Sequence, residues 1–133
     1  MSEYLEEAKR LRAITEIHYN CCQSVVVPFA EKAGISAETA YACGANFGAG
    51  MGIAATCGAI TGALMVLGLC GVDDPSVSAE FFRRVKAKHE GCTNCADLLR
   101  INKEKGTSKK EHCDGMVFEL VEIAEELLRE NGK

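Results

Sequence analysis

Eight cysteines stand in a chain of 133 residues, and four of them share a local setting. Cys21 follows Asn20, Cys57 follows Thr56, Cys95 follows Asn94, and Cys113 opens the last amphipathic stretch. Asn and Thr are good helix N-caps, so each of these thiols is expected at or near the first turn of a helix. A helix start carries partial positive charge and unpaired N–H donors, which favour a thiolate over a thiol. The thiolate is both the nucleophile and the metal-binding form of cysteine. Converging helix starts would therefore make a pocket suited to redox or metal chemistry.

Other groupings compete with this set. Cys92-Thr93-Asn94-Cys95 is a CxxC that His89, His112 and Cys113 could complete as a zinc site. The same CxxC could act as a redox pair, but the βαβ pattern that accompanies such pairs is missing. Cys43 and Cys70 sit in apolar stretches without special neighbours and read as small core residues, and Cys22 is expected on a different helix face from Cys21. His18, His89 and His112 read as packing or solvated side chains. The Gly48–Gly52 segment is spaced GxGxG with no preceding strand, which is no dinucleotide fingerprint. The lysines between Lys103 and Lys110 read as a solvated loop.

The elements that must position these residues are helical throughout. Prolines occur only at Pro28 and Pro75, and no segment alternates with period two. Helices are expected over Glu3–His18, Cys21–Ala33, Ser36–Asn46, Cys57–Leu69 and Val77–His89, with a short turn from Cys95 to Arg100. A last helix from Cys113 to Glu130 places Val117, Leu120, Val121, Ala124, Leu127 and Leu128 on one stripe. The expectation is an all-α fold, one compact domain over residues 1–133 with about six helices and a buried, apolar central helix from Cys57.

Composition excludes several classes of function. Aromatic residues make up 6% of the chain, there is no Trp, and the formal charge is −4, which argues against nucleic acid. Tyr41 to Val72 carries no charge, but its first half is broken by glycines and the remainder is shorter than the ~20 residues of a bilayer crossing. The opening MSEYLEEAKRL has none of the marks of a signal peptide, so a reducing cytoplasm is expected, where cysteines are seldom structural staples. The small-residue central segment suits close helix packing, within the chain or across a homodimer.

The pattern Asn20-Cys21-Cys22-Gln23-Ser24-Val25, then Gly50-Met51-Gly52 and Thr56-Cys57-Gly58-Ala59-Ile60-Thr61-Gly62, then Cys95-Ala96-Asp97-Leu98-Leu99 and Cys113 with Val117, resembles the C-GCAxxG-C-C family of small bacterial and archaeal redox proteins. The resemblance runs from about Asn20 to Ala124. It implies that the family's four cysteines fall on Cys21, Cys57, Cys95 and Cys113, the four that the capping argument selects. Cys22, Cys43, Cys70 and Cys92 lie outside the pattern, and Cys92 turns one family cysteine into a CxxC.

Three readings follow, in this order. The first is an electron-transfer module with an iron–sulfur cluster on Cys21, Cys57, Cys95 and Cys113, since four thiolates are the usual complement. The second is a metal-free thiol–disulfide oxidoreductase, with Cys57 attacking and Cys95 or Cys92 resolving. The third is a non-catalytic zinc protein. A redox partner protein is expected under the first two.

Overall fold

The computed structural model describes residues 2–133. Ser2 accepts a hydrogen bond from the Leu5 amide at 3.1 Å and starts α1 (Glu3–Ala13). Leu5, Ala8 and Leu11 form its buried face. The helix stops short of the His18 expected for it, with Ile14 extended at its C-cap. The separation leaves Cys21 free to open a helix of its own.

That helix, α2 (Cys21–Val26), begins with a reciprocal capping box. The Gln23 amide donates to Asn20 Oδ1 at 2.8 Å, and the Asn20 amide donates to Gln23 Oε1 at 2.9 Å. Pro28, which has no N–H to give a continuous helix, falls in a 3₁₀ turn (Val27–Phe29) ahead of α3 (Ala30–Ala33). The single helix expected over Cys21–Ala33 is thus divided. Ser36 caps α4 (Ala37–Gly44).

Four longer helices follow: α5 (Gly58–Leu69), α6 (Pro75–Lys88), α7 (Cys95–Glu104) and α8 (Lys109–Glu130). The described residues thus hold eight α-helices where about six were expected. Lys109 and Lys110, expected in a solvated loop, belong to α8, because Ser108 accepts from the Glu111 amide at 3.2 Å in a Ser-x-x-Glu start. The Ser108 cap places Cys113 in the second turn of α8 rather than the first.

The chain is all-helical, and its sheet-like pairing among the described residues is one isolated antiparallel bridge between Thr56 and Asn94. Helices α2, α5 and α8 pack against one another, with α1 laid on α8. Helix α5 is not wrapped on all sides: Ala59, Ile60, Ala63, Val66 and Leu67 are buried, whereas Gly68 and Leu69 are exposed. On α8 the expected stripe is buried, joined by Met116 and Ile123. No helix of the described residues is long and apolar enough to cross a membrane.

Two of the three glycines of α5, Gly58 and Gly62, are spent inside the chain. A Cβ on Gly62 would lie 3.0 Å from the Cys22 carbonyl and 3.1 Å from Val25 Cβ. One on Gly58 would lie 2.6 Å from the Phe47 carbonyl and 3.4 Å from Cys21 Cβ. These absent methyls let α5 close on α2 and set Cys57 beside Cys21.

Candidate functional site

Two backbone hydrogen bonds join the segments before α5 and α7. The Cys57 amide donates to the Thr93 carbonyl at 3.0 Å, and the Cys95 amide donates to the Ala55 carbonyl at 2.6 Å. Flanking the Thr56–Asn94 bridge, they hold Cys57 and Cys95 at adjacent helix starts. Cys57, expected in the first turn behind a Thr56 cap, is itself the N-cap of α5, and Cys95 is the first residue of α7.

Beside this clamp lies the second pair. Cys21 opens α2, and Cys113 reaches it from the second turn of α8. Arg12 ties the two sides together. Its Nε lies 2.7 Å from Asp114 Oδ1, and its Nη1 donates to the Tyr19 carbonyl at 2.9 Å. Lys110 Nζ approaches the other Asp114 oxygen at 2.9 Å.

All four cysteines line one cleft of about 1470 Å³, and Cys22, Cys43, Cys70 and Cys92 are not on its walls. The far wall is the turn Gly50–Ala54, closed by the Ala55 amide donating to the Gly50 carbonyl at 3.0 Å. Ala49, Met51 and Ala54 all adopt positive φ here, a conformation that costs a side-chain-bearing residue about 1–2 kcal/mol. Gly50 is required at its own place, since a Cβ would lie 2.5 Å from the Ala55 nitrogen. Such strain concentrates at functional sites.

The thiols differ sharply in acidity. Cys113 is lowered to about 6, first by the Cys21 thiol that stabilises its anion, against the opposing effect of burial, and then by the Arg12 and Lys109 charges. Cys21 is pushed far up, chiefly because its proton serves Cys113 and then by burial. Cys57, only 5% exposed, is raised to about 11 by burial, although the Ala59 and Ile60 amides favour its anion. Cys95 is raised by burial and then by the charge on Cys113.

The expectation that helix starts alone would yield thiolates is therefore corrected. At Cys57 and Cys95 burial outweighs the helix start, at Cys21 the proton shared with Cys113 does so first and burial second, and the acidic thiol is Cys113, which lies beyond a first turn. Its anion depends on Cys21, Arg12 and Lys109. Neither Arg12 nor Lys109 was selected from the sequence; the local signal was the Lys110–Asp114 spacing beside Cys113.

The zinc grouping is not assembled. His89 Nε2 is 2.7 Å from Glu119 Oε2, and Cys92 Sγ faces the Glu90 carbonyl at 3.9 Å, away from the cleft. His112 is buried and its acidity is shifted so that the neutral ring is favoured, by burial and by His89. Among the described residues no three His, Cys, Asp or Glu side chains are grouped to hold a metal ion.

A family model described as "Putative redox-active protein (C_GCAxxG_C_C)" matches residues 19–127, a span that contains all four cleft cysteines and omits Arg12. Neither a curated protein nor a solved structure matches the chain.

Proposed function

The chain belongs to the C_GCAxxG_C_C family, and from its cleft we propose a thiol–disulfide redox function in which Cys113 attacks and Cys21 resolves. The observation that carries this reading is the placement of Cys21, at the start of α2, and Cys113, in the second turn of α8, on the wall of one cleft, where the Cys21 thiol, Arg12 and Lys109 favour the Cys113 anion. Cys57, the attacker expected from sequence, is buried and favours its thiol form, and Cys92 lies off the cleft.

The chemistry is a two-electron exchange. The Cys113 thiolate attacks one sulfur of a substrate disulfide, forming a mixed disulfide and releasing the other half as a thiolate. Once Cys113 carries no charge, the leading cause that raised Cys21 is gone, so Cys21 gives up its proton more readily. The released thiolate or water takes that proton. Cys21 then attacks Cys113 Sγ, closing a Cys21–Cys113 disulfide and expelling the second substrate thiolate. The protein loses two electrons and the substrate gains them; a thiol reductant resets the pair.

The iron–sulfur reading has one observation in its favour: Cys21, Cys57, Cys95 and Cys113, and no other cysteines, share the cleft. Their chemistry suits a cluster, but as placed they form no ligating group, so the residues do not fit a ready-made metal centre.

One experiment separates the readings. Protein purified without oxygen is assayed for iron, acid-labile sulfide and zinc, then oxidised with a stoichiometric disulfide and peptide-mapped. Metal-free protein that forms the Cys21–Cys113 bond is the expected result. Matched iron and sulfide with visible absorption, or an oxidised pair other than Cys21–Cys113, overturns it.

A further inference from the structure

The cleft has a charge opposite to that of the chain. The protein carries a formal −4, yet the cleft is lined by Arg12, Lys109 and Lys110 and by no Asp or Glu. Asp114 binds Arg12 and Lys110 from behind the wall and offsets one of the three charges. The rim is apolar. Ile17, Met51 and Ile53, 52%, 41% and 76% exposed, are three of the four large exposed hydrophobics of the described residues, and all three line the cleft. Met51 and Ile53 are held out on the strained turn.

Cations at one wall, an apolar rim at another and Cys113 between them call for a ligand with three matching parts.

Resting on the thiol reading, we propose that the cleft takes an organic disulfide with an apolar body and a carboxylate. The carboxylate lies against Lys109 and Arg12, the body against Ile17, Met51 and Ile53, and the disulfide meets Cys113. The exchange balances as written above, giving two substrate thiols and the Cys21–Cys113 disulfide.

The test compares single-turnover reduction of 5,5′-dithiobis(2-nitrobenzoate), a dianion, with that of neutral 4,4′-dithiodipyridine. Each rate is normalised to reaction with a small neutral thiol. The normalised ratio should favour the dianion about tenfold at low salt, the lower end of steering by a charged cleft, and Lys109→Gln should reduce that ratio. Because Lys109 also acts on Cys113, only the ratio is diagnostic.

A second measurement does not depend on thiol chemistry. Cys113→Ser protein is titrated by NMR with biphenyl-4,4′-dicarboxylate and with the uncharged biphenyl-4,4′-dimethanol; the dianion should bind more tightly. Equal normalised rates, or equal affinities for the two biphenyls, overturn the inference. Undiminished disulfide reduction by Cys113→Ser instead defeats the thiol reading, and the biphenyl pair still decides whether the cleft prefers an anion.

Discussion

The thiol of Cys21 on α2 faces that of Cys113 on α8, and the two are shifted in opposite directions, Cys113 down to about 6 and Cys21 up. Cys113 alkylation by iodoacetamide, followed by peptide mass spectrometry, should therefore rise through pH 6 and level off. In Cys21→Ala the rise should move toward the ordinary thiol value of 9.0, with Arg12 and Lys109 preventing a full return. An unchanged profile in that variant would show that Cys21 does not set the acidity of Cys113.

The same shift has a consequence for stability. A folded-state value below the unfolded one means that the folded protein binds fewer protons at this group, so its contribution is complete above pH 9. It declines as pH falls and is lost below about pH 6. Cys113→Ser should accordingly flatten urea-denaturation stability between pH 6 and 9 relative to wild type. Parallel curves for the two proteins would contradict this.

Glycines of α5 should respond in opposite senses to alanine. Gly62→Ala presses a methyl on the Cys22 carbonyl and Val25 across the α2 contact, and should cost about 1–3 kcal/mol. Gly68→Ala, on the exposed side with nothing within 4 Å, should gain about 0.5–1 kcal/mol from helix propensity. Denaturation midpoints of the two variants check both signs, and a loss at Gly68 would mean that this face is covered.

Asn20 caps the start of α2 in a capping box and also donates from Nδ2 to the Gly44 carbonyl at 3.0 Å. Asn20→Ala should cost about 1–2 kcal/mol. Because Cys21 is the next residue, the variant should also raise the pH at which Cys113 becomes reactive. A stability loss without any change in that pH would assign Asn20 to folding alone.

Much of the fold is legible because its signals are local. Asn20 and Ser36 mark helix starts, Gly34 a helix end, and the stripe from Val117 to Leu128 a buried face. Where the reading fell short, a second signal competed: Pro28 divides the stretch after Cys21, and Ser108 with Glu111 starts α8 a turn earlier than Cys113.

The sequence by itself determined the helical class and singled out Cys21, Cys57, Cys95 and Cys113, the four cysteines that line one cleft. Caps, glycine spacing and hydrophobic period act within a few residues, so they can be read along the chain. Only the tertiary structure decided which thiol becomes the anion. Acidity depends on desolvation and on charges a few ångströms away, and the groups that act on Cys113 come from α1, α2 and the start of its own helix. Arg12, whose partner Asp114 lies 102 residues on, has no local mark of that role. Folding brings it there.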